Sequence, residues 1–415
     1  MSEHLLRRTA MTTAFALFAG EAMAQSTTIT FGYWGDPAEL APFETVIAAY
    51  QEANPDVRIE VQHAPWSGYF TRLDAQLAAG AGPDVFFITN VPSYASRGAL
   101  EPLDDYIEAT GFPIAEYNQE ALRSHSYQGG LYSLPRDNAT IALYYNIDAF
   151  DAAGLEPPNE SWAWDDLRNA ASALTEMAGN RVTRYGVVIE SNDWPIWITQ
   201  NGGRVFDDPI APTTFMMDEE PAIAAIQYIG DMINKDRSMP SFLESSQAGG
   251  TTQMFLSQQA AMAITNAARL GSYANASFDW AVASLPTGPD GTRANRIGGA
   301  GFGMNANAAD KQAAWDFLSF VAGPEGQSIF ASGSAAAVPA MTGNAQVQQA
   351  FAAPFADVFL SETANGQLLS QFSLYVDIFN LYLQPALDLV WNGEADAATA
   401  ISAIAGPVNE RLAQQ

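Results

Sequence analysis

The stretch Trp66–Ile88, WSGYFTRLDAQLAAGAGPDVFFI, decides the fold, because a helix, a turn and a strand can all be assigned within it from residue types. Phe70, Leu73 and Leu77 recur at the spacing that lines one face of a helix with apolar groups. The GAGP segment ends that helix, since glycine accepts left-handed backbone and proline cannot continue a helix. Val85–Ile88 is an unbroken apolar run, which is typical of a strand covered on both faces.

The residues upstream extend this pattern into a parallel sheet. Residues 28–33 alternate as a strand, residues 38–53 have helical spacing, and residues 57–61 alternate as a second strand. Strands and helices in strict alternation with short turns indicate right-handed crossovers, and ligands of such sheets bind beyond the carboxyl ends of the strands. Three segments fall at those ends: Trp34, His63–Trp66 and Thr89–Asn90.

Composition excludes several classes of function. A chain of 415 residues is too long for one compact core and predicts two domains, or one large α/β unit with insertions. The formal charge of −28, from 46 acidic and 18 basic residues, argues against nucleic acid and anionic membranes as partners. The sequence has no cysteine, which excludes disulfides, thiolate metal sites, cysteine nucleophiles and a lipid-anchored cysteine.

Residues 1–24 are expected to form an export signal. Arg7 and Arg8 precede a short apolar run, and Ala22-Met23-Ala24 offers a small-x-small cleavage site. The paired arginines leave both the twin-arginine and the general secretory route open. No later segment approaches the roughly 18 consecutive apolar residues of a membrane span, so we expect a soluble periplasmic protein without a lipid anchor.

The middle of the chain suggests a second sheet. Residues 131–135 and 141–145 are short apolar strands separated by the polar triplet Arg136-Asp137-Asn138. Residues 162–178 are expected to form one amphipathic helix, and residues 185–189 a strand that is followed by two tryptophans, Trp194 and Trp197. The remainder after residue 312 is predicted to be mostly helical.

Three sets of motifs, in this order, match a known family. They are the opening stretch with its G-x-G-P-D; Leu131–Pro135 followed by Leu143–Asn146; and Gln258–Met262 followed by Gly298-Gly299 and the helix Ala313–Val321. From about Thr28 to Leu412 the sequence resembles the extracellular solute-binding proteins of family 1. These are the carbohydrate receptors of ABC importers and include the maltodextrin receptors.

The resemblance implies an α/β protein with the two-lobed type II fold of periplasmic binding proteins. Each lobe is a sheet flanked by helices, and the ligand cleft lies between the lobes. Residues 25–138 and 300–341 would form the first lobe, and residues 139–299 and 342–415 the second. Such a receptor closes on its sugar, is a monomer, needs no cofactor, catalyses no reaction and delivers its ligand to ABC-transporter permease subunits.

Sugar binding needs flat apolar faces for the ring and planar polar groups for the hydroxyls. For Trp34 and Trp66 a place on the lobe surface or in the core is the alternative, for Trp194 a core role, for Asn90 a helix cap, and for Arg136 with Asp137 an ion pair at the hinge. The candidate ligand-binding residues are Trp34, Trp66, Tyr69, Asn90, Arg136, Asp137, Trp194, Asn266, Arg269, Gly299 and Tyr375.

Arg269 marks a departure from the family. After Ala260-Ala261-Met262 the family commonly has a glycine and a tryptophan, whereas this sequence has Asn266-Ala267-Ala268-Arg269. A guanidinium with five donors replaces a stacking platform, which raises the possibility of an acidic sugar or a sugar phosphate as ligand. The alternative from another class is a secreted carbohydrate-active hydrolase, which would need two carboxyl groups across one bond.

Overall fold

The computed structural model of the protein describes residues 27–35, 39–332 and 337–414. The predicted export signal, residues 1–24 with its cleavage site, lies outside these residues. The strands are β1 (Thr27–Trp34), β2 (Val57–Ala64), β3 (Val85–Ile88), β4 (Ser126–Tyr127), β5 (Gly130–Leu131), β6 (Ser133–Pro135), β7 (Ile141–Asn146), β8 (Glu176–Ala178), β9 (Arg181–Ile189), β10 (Ala260–Asn266), β11 (Trp280–Ala283), β12 (Asn295–Ile297), β13 (Gly301–Met304) and β14 (Gly366–Leu368).

The helices are α1 (Leu40–Ala53), α2 (Trp66–Ala78), α3 (Val91–Ala95), α4 (Asp104–Thr110), α5 (Gln119–Ser124), α6 (Ile147–Ala153), α7 (Trp164–Leu174), α8 (Trp194–Gln200), α9 (Glu220–Asn234), α10 (Phe242–Gln247), α11 (Gly250–Leu256), α12 (Leu270–Tyr273), α13 (Lys311–Ala322), α14 (Pro324–Ala331), α15 (Ala345–Ala350), α16 (Ala356–Glu362), α17 (Tyr375–Ile378), α18 (Gln384–Trp391) and α19 (Ala397–Leu412). Short 3-10 turns cover Ile114–Glu116, Ala267–Arg269 and Thr363–Asn365, and a π-helical turn, Phe379–Leu383, joins α17 to α18. Among the described helices, none has both the length and the apolarity needed to cross a bilayer.

The turn between α2 and β3 is fastened to the first strand. Asp84 accepts hydrogen bonds from the backbone N–H of Thr30 at 2.8 Å and from its hydroxyl at 2.6 Å. The Thr30 hydroxyl in turn accepts one from the Asp84 N–H at 2.9 Å. A Cβ on Gly82 would lie 2.6 Å from Leu77 Cδ2 and 3.2 Å from Asn305 Nδ2, so a larger residue would require both side chains to shift. These contacts hold the residue that precedes β3 against β1.

The first sheet has the strand order β2-β1-β3-β13-β6. β1 is parallel to β2 and β3, whereas β13 is antiparallel to both β3 and β6. One face packs on α1 and α13 through aromatic residues that include Phe31, Phe43 and Phe302. The other face packs on α2 and α3 through residues that include Phe86 and Leu73. The predicted sheet with helices on both faces is therefore present.

The second sheet has the order β11-β7-β10-β9-β8. β10 lies at its centre, parallel to β9 and antiparallel to β7. One face is covered by helices α7, α8, α9, α18 and α19, and the other by a cluster that includes Tyr144, Phe255 and Tyr273. The described chain is thus α/β with two helix-flanked sheets, as predicted.

The expected helix over residues 162–178 is shorter than predicted. Helix α7 ends at Leu174, and residues 176–178 form β8 instead. The Thr175 hydroxyl donates to the Ala171 carbonyl and accepts from the Gly186 N–H, which draws the chain onto β9. An ion pair of 2.8 Å between Arg184 and Glu176 then joins the two strands. Pairing with a neighbouring strand outweighs helical spacing here.

The chain passes between the sheets more than once. β6 ends at Pro135 in the first sheet and β7 begins at Ile141 in the second, and the chain is back in the first sheet at β13. Val347 still packs with Tyr117 beside the first sheet, whereas Phe351 packs in the cluster of Tyr144 on the second. The lobe bounds at residues 138, 299 and 341 stay a prediction.

Candidate ligand-binding cleft

A cavity of about 670 Å³ lies between the two sheets, at the carboxyl ends of β1, β3, β9 and β10. We call this cavity the cleft. Ten of the eleven residues predicted for the site line it, and Tyr69 does not. The ten are Trp34, Trp66, Asn90, Arg136, Asp137, Trp194, Asn266, Arg269, Gly299 and Tyr375.

Two tryptophans form an aromatic wall on the side of the first sheet. Trp34 ends β1, and its ring is stacked on Phe87 with centroids 4.0 Å apart. Trp66 begins α2 and meets Trp34 edge to face at 5.2 Å. Trp66 remains 53% exposed although it lines the cleft. An indole held by two aromatic neighbours but open on the remaining side is a platform on which an apolar ring face can stack.

Tyr69 is predicted from the sequence to lie in the ligand site, but the structure places it in the core. The side chain is 1% exposed and packs with Leu73 and Phe86. Its hydroxyl donates toward the carbonyls of Gly32, at 3.1 Å, and Phe87, at 2.9 Å. Burial raises the pKa of the Tyr69 phenol well above its ordinary value. The spacing of three residues puts Trp66 and Tyr69 on neighbouring positions of one helix, so it is the packing of α2 on the sheet that buries Tyr69 and leaves Trp66 at the cleft.

Two buried amide oxygens at the cleft have no donor. Asn90 follows β3 with left-handed backbone, φ 49°, and its side chain makes no capping hydrogen bond to α3, so the alternative of a helix cap does not describe it. Asn138 donates from Nδ2 to the Pro339 carbonyl at 2.9 Å. The Oδ1 atoms of both residues are buried without a hydrogen-bond partner among the described residues. Buried polar atoms are seldom left unpaired, so these two are candidates to accept from a ligand.

Arg136 and Asp137 form an ion pair where the chain passes from the first sheet to the second. Arg136 Nε lies 2.6 Å from Asp137 Oδ2, Nη2 contacts the same oxygen, and the guanidinium carbon lies 4.5 Å from the centroid of Phe87. Gly299 passes directly over the carboxylate, and a Cβ there would lie 1.9 Å from Asp137 Oδ1. The ion-pair alternative therefore describes the observed geometry, while contact with a ligand stays a prediction.

On the side of the second sheet the cleft combines aromatic and polar side chains. Trp194 begins α8 and is 2% exposed, so it contributes only an edge to the cleft and packs chiefly in the core. Asn266 ends β10, and its Oδ1 accepts from the Ala268 N–H at 3.1 Å. This contact begins the short turn that carries Arg269, whose buried Nε has no partner in the part of the chain that is described. Burial raises the pKa of Tyr375 to about 12, so this phenol stays neutral.

Sequence reasoning missed a buried ion pair beneath the cleft. Arg296 Nη1 lies 2.8 Å from Asp193 Oδ1, and Arg296 Nε donates to the Ala139 carbonyl at 2.7 Å. Asp193 is fully buried. Neither of its carboxylate oxygens has a hydrogen-bond partner among the described residues, so the contact with Arg296 is an ion pair without hydrogen-bond geometry. Burial raises the pKa of Asp193 to about 6, against the lowering effect of Arg296 and with a contribution from Glu190.

Other missed cleft residues could have been found from spacing. Glu190 directly follows β9, as Asn90 follows β3, so the strand-end argument applies to it equally. Its carboxylate accepts from the Thr265 hydroxyl at 3.0 Å. Phe379 lines the cleft four residues after Tyr375, on the same helical face. Arg296 lies in a strand of three residues with no pattern that would predict its position.

Residues with metal-binding side chains do not form a centre. Within the described ranges, no group of three or more His, Asp or Glu side chains has a geometry that could hold a metal ion. His125 is buried against Ser133, and burial lowers the pKa of its imidazole to about 3. His63 Nε2 lies 2.8 Å from the Gly35 carbonyl.

Comparison with known proteins gives a consistent result. The family described as bacterial extracellular solute-binding protein matches residues 34–328. The sn-glycerol-3-phosphate-binding periplasmic protein UgpB of Escherichia coli strain K12 is 27% identical over 345 residues, covering 75% of each chain. A maltotriose-binding protein of Pyrococcus abyssi is 26% identical over 259 residues, which cover 60% of this chain and 51% of that protein.

Solved structures are similar over nearly the whole chain. The ABC substrate-binding protein Lmo0181 of Listeria monocytogenes, solved in complex with cycloalternan, superposes with a TM-score of 0.83 at 25% identity. The match covers 94% of this chain and 99% of that one. The predicted two-lobed type II fold of periplasmic binding proteins is therefore confirmed.

Proposed function

Because this chain belongs to the bacterial extracellular solute-binding protein family, we propose that it is the periplasmic carbohydrate receptor of an ABC importer. It binds a mono- or oligosaccharide in the cleft, closes its lobes around it and delivers it to permease subunits in the membrane. The protein acts as a monomer after export. Relatives and neighbours named for maltotriose and cycloalternan support a sugar as ligand.

The observation that carries this proposal is the pairing of an open aromatic face with unpaired polar atoms in one cavity. Trp66 is 53% exposed at the cleft, and the buried Asn90 Oδ1, Asn138 Oδ1 and Arg269 Nε have no hydrogen-bond partner among the described residues. A sugar ring has apolar C–H faces and hydroxyls that both donate and accept. Two acceptors and one donor beside a flat indole match that chemistry.

Lobe closure follows from where these groups lie. Trp66 and Asn90 belong to elements of the first sheet, whereas Asn266 and Arg269 follow β10 of the second. A ligand that contacts both sets stabilises the closed arrangement by its difference in affinity for the closed and open forms. Arg136, Asp137 and Gly299 lie between the sheets, where the chain passes from one to the other, and we assign them to the hinge beside the ligand.

The remaining predicted residues that line the cleft each have a proposed role. Trp34 backs Trp66 and extends the stacking surface, and Trp194 offers an edge from the opposite side. Asn266 holds the turn that presents Arg269, whose guanidinium donates to ligand hydroxyls. Tyr375 is a neutral phenol and contributes one hydroxyl together with its ring.

The two alternatives are not favoured. The matched family and the solved neighbours are solute-binding receptors and not enzymes, which argues against a secreted hydrolase. An acidic sugar or sugar phosphate would explain Arg269, and the matches include relatives named for sn-glycerol-3-phosphate and a structure in complex with glycerophosphocholine. Several other neighbours are named for neutral sugars, which favours a neutral ligand.

Isothermal titration calorimetry of the purified protein with a panel of neutral mono- and oligosaccharides tests the proposal. We expect saturable one-to-one binding of at least one sugar, with no product detected by chromatography after prolonged incubation. Uronates and sugar phosphates in the same panel test the acidic alternative. Hydrolysis products, or binding confined to acidic ligands, would contradict the proposal.

A further inference from the structure

A second cavity, of about 430 Å³, lies beside the cleft and shares Pro195, Leu369 and Ser370 with it. Three arginines line it, and we call it the arginine cavity: Arg123, Arg204 and Arg293. Arg123 is on α5, which packs through Leu122 beside the first sheet. The other two belong to loops that border α8 of the second sheet. The cavity therefore has walls from both halves of the molecule.

Three acidic side chains, Glu120, Asp207 and Asp208, also line this cavity, and the two aspartates are hydrogen-bonded within their own loop. Asp207 accepts hydrogen bonds from the backbone N–H groups of Thr213, at 2.8 Å, and Thr214, at 3.0 Å. Asp208 Oδ1 accepts from the N–H groups of Ile210 and Ala211. These hydrogen bonds orient the two carboxylates toward the backbone of residues 210–214, although both keep their negative charge.

Two of the three arginines have no acidic partner. Arg123 pairs with Glu120 at 2.9 Å and reaches Asp208 at 3.7 Å. Arg293 donates to a neutral group, the Glu160 carbonyl, and neither Arg293 nor Arg204 has a carboxylate within ion-pair distance in the described ranges. Most of the described basic side chains of this acidic protein do have such a partner. The three arginines and three carboxylates of the lining balance in formal charge, but the guanidinium groups of Arg204 and Arg293 have no carboxylate in contact among the described residues and are available to a ligand.

The lining of the arginine cavity differs in kind from that of the cleft. The cleft has the exposed indole of Trp66. Phe206, the one aromatic side chain among the described residues that line the arginine cavity, is 3% exposed and packs against Phe215 and Phe372. The cavity offers no stacking platform for a sugar ring. Its available groups are guanidinium donors, which bind planar or tetrahedral oxyanions in fork geometry.

We propose that the arginine cavity is a second binding site, for a small oxyanion of the phosphate or carboxylate class, separate from the cleft. Arg123 lines the same cavity from the side of the first sheet, so an anion held by Arg204 and Arg293 would lie between the two halves of the molecule. It would then stabilise the present arrangement of the two sheets. If the anion and the sugar stabilise the same arrangement of the two sheets, each raises the affinity of the protein for the other by the same factor. This coupling rests on the proposed function, whereas anion binding itself does not.

The direct test is calorimetric titration of the sugar-free protein with inorganic phosphate at constant ionic strength, with chloride as the balancing anion. We expect saturable phosphate binding in the wild type and at least about tenfold weaker binding in the double variant Arg204→Gln, Arg293→Gln. Arg181→Gln is the matched control. It removes an exposed arginine that likewise has no ion-pair partner but begins β9 away from both cavities, so phosphate binding should be unchanged.

Two further measurements separate the possible outcomes. If phosphate binding survives in the double variant but is lost in Arg269→Gln, the anion binds in the cleft and the proposal is wrong. No saturable binding in the wild type overturns it as well. A sugar titration with and without phosphate should show about a fivefold gain in affinity in the wild type and none in the double variant. Sugar binding without phosphate reports separately on the function proposed for the cleft.

Discussion

Replacing Trp66 with alanine should weaken sugar binding about fifteenfold while leaving the fold intact. A tryptophan side chain has up to about 250 Å² of surface, and 53% of Trp66 is exposed, which leaves about 130 Å² available. A sugar ring stacked on one face covers about half of that, or about 65 Å². At about 25 cal/mol per Å² the loss is about 1.6 kcal/mol, and 1.4 kcal/mol corresponds to a factor of ten in Kd.

The assay is calorimetry with the best sugar from the panel, alongside thermal unfolding. The edge contacts of Trp66 with Trp34 and Phe70 are the only ring contacts that truncation removes among the described residues, so Tm should change little. Trp66→Phe keeps a smaller ring and should lose less affinity. Leu243→Ala removes a side chain that is 61% exposed outside the cleft, and it should change neither quantity. A Trp66→Ala protein with wild-type Tm and a Kd within twofold of wild type would refute the stacking role.

Three further predictions concern the buried groups around the cleft. Tyr69→Phe removes the hydroxyl that donates to the Gly32 and Phe87 carbonyls, so it should lower the free energy of unfolding in urea by about 1–3 kcal/mol. Sugar affinity should be unchanged, and a weaker affinity would show that Tyr69 contacts the ligand. Gly299→Ala places a Cβ 1.9 Å from Asp137 Oδ1 and should lower the free energy of unfolding by about 1–3 kcal/mol in the same assay. The control Gly68→Ala, in an open helical position, should be neutral or stabilising by up to about 1 kcal/mol. Equal effects of the two substitutions would contradict the close packing of Gly299 on Asp137. For Asp193, the pKa of about 6 in the folded state lies above the ordinary 3.8, so the folded state binds more protons than the unfolded state. The free energy of unfolding should therefore fall by up to about 3 kcal/mol as pH rises from about 4 to about 6. Asp193→Asn should remove that part of the pH profile, and an unchanged profile would show that the carboxyl is not buried as described.

The regular part of the fold could be predicted because its signals are local. The helix α2, the GAGP turn and the strand β3 are each encoded by residues within one short stretch. The strand-end argument then brought Trp34, Trp66 and Asn90 to one edge, since parallel strands share their carboxyl ends. By contrast, residues 176–178 form a strand because they pair with β9, which is a contact that helical spacing cannot reveal.

The site was harder to predict where orientation matters more than position. Tyr69 and Trp66 are three residues apart on one helix, yet one is 1% exposed and the other 53%. The direction in which α2 packs on the sheet separates them, and the sequence contains no sign of that direction. Arg296 became visible only because tertiary structure brings it within 2.8 Å of Asp193, about a hundred residues away along the chain. Long-range pairs of this kind leave no periodic pattern.

The position of β13 has a consequence for how the protein is made. β13 lies between β3 and β6, and it pairs Met304 with Val85, more than two hundred residues earlier in the chain. The first sheet therefore has a gap at its fourth position until nearly three quarters of the chain has been synthesised. Contacts between such distant segments form slowly, because the loop between them must be closed first. Until β13 is made, β3 keeps one open edge and β6 lacks its partner strand, so the first sheet stays incomplete while most of the chain is synthesised.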